Sequence, residues 1–308
     1  MKVSDLEIIK NGTKYRVNNN SITGDVLTVD SFNVDGLEYS YNHESIDGIN
    51  GRFLTSKRND KRKATLLVSY NVEKMSRAQH LKGQLAYLFS GEFFVREMGA
   101  SVVEIPFQHF NDKPFKFEPN YLSGKTIKLQ LNSEISFDVT QIKFKKSGQI
   151  AIEFETVDLP YYESVGRSLD LASGRTSSLW SSDMLMDWEM GSNTRKYVFE
   201  NVKTGTVYYH GTYPIEQFNQ ECKVSITLTE STKEFNWYTS ASDMMEIKGL
   251  NLKGGDVITF DGLQTYRNNV PINEYTRLNF PKFNPGANSF KFNQKIEKVI
   301  FDLKFYYL

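Results

Sequence analysis

The chain has 308 residues and a mass of 35.5 kDa, a length that favours two domains. Lys and Arg number 37 and so do Asp and Glu, and a net charge of zero argues against a general nucleic-acid-binding protein. A mean hydropathy of -0.47 without a long apolar run predicts no membrane span, and a single cysteine, Cys222, excludes disulfide scaffolds and zinc ribbons.

The first seventy residues alternate apolar and polar side chains, the pattern of antiparallel strands. Leu6 and Ile8 precede Asn11-Gly12, a dipeptide that predicts a two-residue hairpin turn. Residues 26–34 form a second apolar stretch, and residues 64–70 alternate again. This part of the chain is therefore predicted to be a β-sheet.

Between these strands, residues 35–62 are polar, charged and rich in glycine, and the stretch ends in a basic run at residues 57–63. Their composition predicts a solvated loop. The alternative is a basic rim that faces a negatively charged partner or DNA passing nearby, with an interface formed by Lys57, Arg58, Lys61 and Arg62. The sequence alone leaves both interpretations open.

One segment changes its apolar period from two to nearly four. Spacings of three and four predict an amphipathic helix that ends before Ser90-Gly91, with an apolar face of Met75, Ala78, Leu81, Leu85, Leu88 and Phe89. Strand patterns then resume at residues 93–96, 102–107 and 125–131, and residues 141–145 and 150–154 are predicted to form a hairpin. Lys and Glu at alternate positions indicate a sheet with one solvated face, whose strands 125–131 and 150–156 could pair with neighbouring subunits.

Residues 166–195 are rich in serine and glycine, but a pure linker would not carry Trp180, Leu185, Met186 and Trp188, so part of the segment is predicted to pack as an arm or short helix. Trp180 and Trp188 lie in this segment, and tryptophan is a frequent anchor of protein–protein interfaces. We therefore predict an N-terminal domain of residues 1–165, a serine-rich arm of residues 166–195 whose two tryptophans contact a neighbouring subunit, and a C-terminal domain of residues 196–308.

The second half consists of short alternating segments separated by turns, without a helical period. Regular short strands of this kind predict a β-sandwich or jelly roll. The predicted strands are residues 197–199, 207–209, 222–228, 235–237, 244–247 and 257–260, and residues 290–292 are predicted to pair with residues 299–305.

The sequence gives no positive evidence for catalysis. It lacks GxSxG, GxxxxGK[ST], GxGxxG and HExxH patterns, and its four histidines lie far apart. Cys222 opens an alternating strand and is predicted to be a buried apolar residue rather than a nucleophile. We expect no enzyme activity, no catalytic residue, no metal site and no cofactor.

In the order of its elements, the sequence resembles the distal tail proteins (Dit) of siphophages that infect Gram-positive bacteria, most closely those of staphylococcal phages. Three features carry the resemblance. The helix is followed by Phe93-Phe94-Val95, residues 152–164 at the end of the first domain resemble the family's junction through Pro160-Tyr161-Tyr162-Glu163-Ser164, and residues 278–290 resemble the family's turn before the last strands. The resemblance covers nearly the whole chain.

This resemblance implies a mainly β protein of two domains. The N-terminal domain would be a β-sandwich with one helix and an extended hairpin that meets neighbouring subunits, and the C-terminal domain would be a galectin-like β-sandwich. The final strand, residues 298–308, could return to the N-terminal domain, as it does in some relatives.

The resemblance also implies a structural role in the virion, at the phage tail tip, after synthesis in the host cytoplasm. A homo-hexameric ring would join the tail tube to the tail-associated lysin or baseplate hub and attach receptor-binding or other baseplate proteins. DNA would pass through the ring without specific binding, and no membrane would be involved.

The alternative function is a carbohydrate-binding tail protein that recognises the host cell wall. Its candidate sugar platform consists of Trp237 and Tyr238, with Tyr208 and Tyr209 as further aromatics. The competing interpretation is that these side chains belong to the core of a sandwich. Since successive residues of a strand point to opposite faces, one member of each pair is expected outside.

Overall fold

The structure is a computed structural model, and it describes residues 2–72, 74–100, 120–135, 147–174, 177–184 and 192–308. It is mainly β, as predicted, and divides into two compact units, Met1–Pro160 and Tyr161–Leu308. The predicted strands at residues 102–107 and 141–145 lie outside the described residues. Among those described, no helix has the length and hydropathy of a membrane span.

In its described residues, the first unit consists of antiparallel strands and one helix. Its elements are β1 (Lys2–Lys10), β2 (Thr13–Arg16), β3 (Leu27–Val34), β4 (Tyr39–Glu44), β5 (Phe53–Asn59), β6 (Lys63–Asn71), α1 (Met75–Leu88), β7 (Phe93–Ala100), β8 (Tyr121–Leu131) and β9 (Ser147–Thr156). The main sheet has the order β2-β1-β7-β8-β9-β6-β3, whereas β4 and β5 form a separate two-stranded sheet. The predicted turn is confirmed, since Asn11 and Gly12 have φ angles of 49° and 75° between β1 and β2.

The sheet order bears on the expectation about subunit pairing. Strands β8 and β9 hold the residues predicted to pair with neighbouring subunits, and among the described residues they pair with each other only at residues 129–131 and 154–156. β8 pairs with β7 and β9, and β9 pairs with β8 and β6. The strands at the two ends of this sheet order are β2 and β3.

Helix α1 is confirmed, and it packs through the predicted face. Its buried residues recur at spacings of three and four: Ala78, Leu81, Leu85 and Leu88. Phe89, at the end of the helix, lies 5.7 Å from Phe93 and 5.2 Å from Phe154, measured between ring centroids. The ammonium of Lys10 donates to the Tyr87 carbonyl at 3.1 Å and so satisfies a carbonyl of the last turn.

The second unit is built on an 8-stranded antiparallel sheet. Its elements are β10 (Tyr162–Ser164), α2 (Ser168–Ala172), β11 (Val198–Tyr209), β12 (Cys222–Leu228), β13 (Thr232–Thr239), β14 (Met245–Leu252), β15 (Val257–Asp261), β16 (Gln264–Arg267), β17 (Val270–Pro271), β18 (Gly286–Leu303) and β19 (Tyr306–Tyr307), with short 3-10 turns at Ser177–Leu179, Ser182–Met184, Ser192–Arg195 and Asn273–Tyr275. The order is β14-β13-β18-β12-β15-β16-β17, and β11 pairs with β18.

Strand β18 overturns the predicted pairing of residues 290–292 with residues 299–305. Both segments belong to one continuous strand of 18 residues, which pairs with β11 over most of its length. Its other side pairs first with β13, at Phe292, and then with β12, from Ile296 onward. The polar residues in the middle mark this change of partner and not a turn. Residues 197–199 and 207–209, predicted as two strands, likewise fall in or next to the single strand β11.

The turn before β18 is organised by Asn288, whose side chain is fully buried. Its amide nitrogen donates to the carbonyls of Asn284 and Gly286 at 2.7 and 3.0 Å, and its amide oxygen accepts from the Asn284 backbone nitrogen at 2.9 Å. Gly286 adopts a φ of 90°, which favours glycine. These contacts give a structural reason for the asparagine and glycine in the run of residues 278–290.

Candidate interaction surface

The strands β4 and β5 form an exposed hairpin that pairs with no other described strand. The register joins Tyr39 to Asn59, Tyr41 to Lys57 and His43 to Leu54, with a bulge on the β5 side. The composition of residues 35–62 predicts a loop, which is wrong for these two strands, whereas the resemblance implies an extended hairpin without placing it. A two-stranded ribbon of this kind is marginal on its own and usually requires a packing partner.

One face of the hairpin, here called the aromatic face, carries Tyr39, Tyr41, His43, Leu54 and Lys57. The rings of Tyr39 and Tyr41 lie 6.2 Å apart, and those of Tyr41 and His43 lie 6.4 Å apart. Tyr39 and Tyr41 are 46% and 48% exposed, and Leu54 is 55% exposed. Large apolar side chains presented together in this way mark an interaction surface rather than scattered surface residues.

The opposite face of the hairpin is polar at its base. Ser40 lies opposite Arg58, and Asn42 lies opposite Ser56. The Asn42 amide donates to the Ser56 hydroxyl at 2.9 Å, and the Thr55 hydroxyl donates to the Asn42 carbonyl at 3.0 Å. The hairpin is therefore amphipathic, although neither face is buried.

The basic run separates into groups with different surroundings. Lys57 and Arg58 lie on the hairpin, where the guanidinium of Arg58 is 3.3 Å from Asp60. The ammonium of Lys61 contacts Glu155 at 2.7 Å, and this hydrogen bond raises the pKa of Lys61 and lowers the pKa of Glu155. Arg62 is buried. The run is thus not one continuous basic rim, since Lys61 is paired and Arg62 is largely removed from solvent.

Of the two predicted interface tryptophans, the structure describes Trp180 and not Trp188. Trp188 lies outside the described residues. Trp180 is only 7% exposed and packs inside the second unit, with its ring centroid 6.0 Å from that of Phe305. A Cβ atom on Gly166 would approach the Trp180 ring to 2.7 Å, so the glycine permits this packing. In this structure Trp180 is a core residue and is not displayed on an exposed arm.

The start of the serine-rich segment is also fixed to the second unit. The Ser168 hydroxyl donates to the Phe301 carbonyl at 2.7 Å and accepts from the Leu303 nitrogen at 2.9 Å. The guanidinium of Arg167 contacts Asp302 at 2.7 Å. Residues 166–172 therefore pack as part of the domain and do not behave as a free linker.

The candidate sugar platform is divided between the two faces of its strand. Trp237 is fully buried, and its ring lies 5.4 Å from Phe260 and 5.6 Å from Phe292. Tyr238 points outward at 42% exposure and lies opposite Lys291. Tyr209 is buried as well. Trp237 and Tyr209 therefore belong to the core, and Tyr238 offers a single exposed ring.

Two kinds of polar group among the described residues bear on possible chemistry, namely the single cysteine and the potential metal ligands. Cys222 is buried, as predicted, and burial raises the pKa of its thiol, which disfavours the nucleophilic thiolate. Within the described part of the chain, no group of three or more His, Cys, Asp or Glu side chains is placed to hold a metal ion. Among the described residues, the aromatic face of the hairpin is therefore the strongest candidate for an interaction surface.

Together these features define a mainly β protein of two units, whose described residues include one long amphipathic helix and a separate exposed hairpin. The fold is similar to that of the SPP1 Dit (gp 19.1) crystal structure, described as a paradigm of the hub adsorption apparatus in phages that infect Gram-positive bacteria. The TM-score is 0.57 at 9% sequence identity, over 97% of this chain and 99% of that chain. The chain therefore has the two-domain β fold of a siphophage Dit protein.

Two structures of the phage p2 baseplate in its activated conformation, with Sr and with Ca, also match over 98% of each chain at 9% identity. Their TM-scores are 0.39 and 0.38. No protein-family model and no curated protein matches the sequence.

Proposed function

We propose that this chain is a structural protein of a phage tail baseplate, namely a distal tail protein that assembles into a hexameric ring. The observation that carries the proposal is the fold shared with SPP1 Dit across nearly the full length of both chains. The motifs at residues 152–164 and 278–290 support it from the sequence side. The second unit corresponds, on this proposal, to a galectin-like domain.

The exposed hairpin supports an assembled state. Its aromatic face has no cover within the described chain, and its strands have unpaired edges. A neighbouring subunit would remove both liabilities, because edge and face could be buried in the same contact. Such a contact joins two different surfaces of identical subunits, and repetition of it around an axis closes a ring.

The partners follow from this role. One face of the ring meets the tail tube, the other meets the tail-associated lysin or baseplate hub, and receptor-binding or other baseplate proteins attach outside. A net charge of zero suits a channel through which DNA passes without being held. The protein acts as an adaptor in the virion tail and not as an enzyme.

The experiment that tests the proposal is the mass of the purified chain by light scattering across concentration, followed by electron microscopy of any large species. A hexameric ring supports the proposal. A chain that stays monomeric alone and also fails to co-assemble with the tail-tube and hub proteins of the same phage contradicts it. Binding of the chain to purified host cell walls without ring formation would favour the carbohydrate-binding alternative.

A further inference from the structure

Helix α1 presents cations outward without any carboxylate of its own. Its sequence contains no Asp or Glu, and Lys74, Arg77 and Lys82 are exposed. Among the described residues, none of these three cations has an ion-pair partner. Lys128 of the same unit differs from them, because its ammonium contacts Glu92 and Asp158 at 2.7 and 2.5 Å. The helix therefore presents a local positive surface on a chain with no net charge.

A glycine lies in the middle of the same outward surface. Gly83 is exposed, and a Cβ atom placed on it would meet no other atom within 4 Å. Glycine weakens a helix interior relative to alanine, and the packing of this chain does not require it here. The absence of a side chain at Gly83 leaves room for another backbone or side chain to approach the helix closely.

The tip of the hairpin between β4 and β5 has the complementary character. Ile46 and Ile49 are each 53% exposed and are joined by a turn hydrogen bond of 3.1 Å, from the Ile49 nitrogen to the Ile46 carbonyl. Glu44 and Asp47 are exposed beside them, and neither carboxylate has an ion-pair partner in the described chain. Arg52 is the one cation on the returning side of the loop.

We propose that the hairpin tip of one copy docks on the outward face of α1 of the next copy. Glu44 and Asp47 would face Arg77 and Lys82, while the two isoleucines would lie over Gly83. The occupant is a second copy of this chain, because one chain carries both the cations of the helix and the carboxylates and exposed isoleucines of the hairpin tip. Contacts between unlike surfaces of identical subunits are those that close rings.

The reach of the hairpin is adequate for this contact. Its strands of six and seven residues extend about 20 Å at the usual rise per residue, and the loop adds to that length. The inference rests on the proposed ring, which supplies the neighbouring copy. It goes further by assigning a receptor surface to the hairpin tip.

The test is a charge exchange measured by light scattering on the full chain. We expect Arg77→Glu with Lys82→Glu to lower the association constant by about tenfold or more, because like charges would then meet across the contact. Glu44→Lys with Asp47→Lys should have the same effect. The chain carrying all four substitutions should recover most of the assembly of the unaltered protein.

The matched control reverses two exposed cations of the second unit, Lys203→Glu with Lys233→Glu, and should leave assembly unchanged. Gly83→Trp is a second, charge-neutral variant, which should block docking by filling the space above the helix. Circular dichroism and thermal unfolding of each variant confirm that the monomer is folded before its assembly is compared.

The outcomes separate this inference from the ring itself. If both charge-reversal variants still form rings, the docking site is overturned, but the proposal that the chain forms a ring is not contradicted. Loss of assembly that the fourfold variant does not restore overturns the pairing of these two surfaces. In a third outcome, the variant with reversed helix charges still forms the ring but no longer binds a hub protein. That result would assign the helix face to the hub protein and overturn the docking. An unaltered chain that never associates contradicts the ring and the docking together.

Discussion

The ammonium of Lys57 lies 4.0 Å from the ring centroid of Tyr39 and 5.8 Å from that of Tyr41. A cation over a tyrosine ring contributes about 0.5–1 kcal/mol at an exposed site. Because this cation is engaged with the aromatic rings across the ribbon, it helps to order the aromatic face of the hairpin. Lys57 is therefore better explained as part of a contact surface than as a free phosphate-binding charge.

Replacing the two rings, Tyr39→Ser with Tyr41→Ser, should weaken assembly while leaving the monomer folded. Both side chains are about half exposed, so the free energy of unfolding should change by no more than about 0.5–1 kcal/mol. The association constant should fall by about tenfold or more if both rings become buried in a subunit contact. Light scattering and urea unfolding on the same preparation measure the two effects.

The matched control changes the other face of the same strands, at Ser40→Ala with Arg58→Ala. These residues face each other across the ribbon, away from the aromatic face. Assembly should be nearly unchanged in the control. An equal loss in both variants would show that the hairpin as a whole, and not its aromatic face, determines assembly.

Trp180→Ala should destabilise the second unit strongly. The indole is almost fully buried against Phe305 and over Gly166, and removing a buried tryptophan costs about 3–5 kcal/mol. Denaturant unfolding followed by circular dichroism measures the loss. This outcome is opposite to that expected of a tryptophan on an exposed arm, where truncation would spare the monomer.

The control for Trp180 is Tyr238→Ala, which removes another large aromatic from the same unit at an exposed position. Its cost should stay within about 0.5 kcal/mol. If both substitutions cost the same, burial would not be the cause of the Trp180 effect. The same Tyr238→Ala protein also tests the sugar platform, because binding to host cell walls should fall only if Tyr238 stacks on carbohydrate.

Elements whose pattern is set by a single buried face were predicted well from the sequence. Strand β12 was predicted at its observed bounds, and α1 was predicted to within one residue. The pairing of β18 was wrong because it depends on which strands lie beside it. Residues 293–295 resemble a break in the apolar alternation, yet the strand continues because β13 stops pairing with β18 there and β12 pairs with the same side from Ile296 onward. Such a change of partner leaves no local signal.

The candidate surface was harder to predict, for a different physical reason. Tyr39, Tyr41 and His43 do alternate along the sequence, but the hairpin buries neither face, so this alternation does not identify a core strand. The separation of the basic run depends on Glu155, which is remote in sequence. The burial of Trp180 depends on Phe305 in the same way. Residue type indicates which side chains suit a contact surface, whereas packing against residues remote in sequence determines which of them stay exposed.

The stability of the second unit should fall on mild acidification because of His210. The ring is buried against Tyr208 and Phe305, and this burial lowers the pKa of His210 below 6.5. The unfolded chain therefore takes up the proton more readily than the folded chain. The stability contributed by the neutral ring is complete above pH 6.5 and is lost as the pH falls from there through the folded-state pKa.

His210→Gln should remove this part of the pH dependence. Urea unfolding at about pH 7.5 and about pH 5.5 should show a larger loss of stability in the unaltered protein than in the variant. The comparison matters because burial raises the pKa of Glu163, and that group changes stability with pH in the opposite direction. His80→Gln makes the same change at an exposed helix position, and an equal effect there would contradict burial of His210 as the cause.

Asn288→Ala should destabilise the turn that leads into β18. The substitution leaves the carbonyls of Asn284 and Gly286 and the Asn284 nitrogen without the partners that the buried amide supplies. Each unsatisfied buried group costs about 1–3 kcal/mol, so a total loss of about 2–4 kcal/mol is expected after some access of water.

Asn293→Ala is the matched control on the same strand, because its exposed amide makes one hydrogen bond, to the Glu234 carbonyl at 3.0 Å. Its cost should remain below about 1 kcal/mol. Denaturant unfolding that gives equal losses for both asparagines would contradict a structural role for the buried amide and leave the family-like run at residues 278–290 without this explanation.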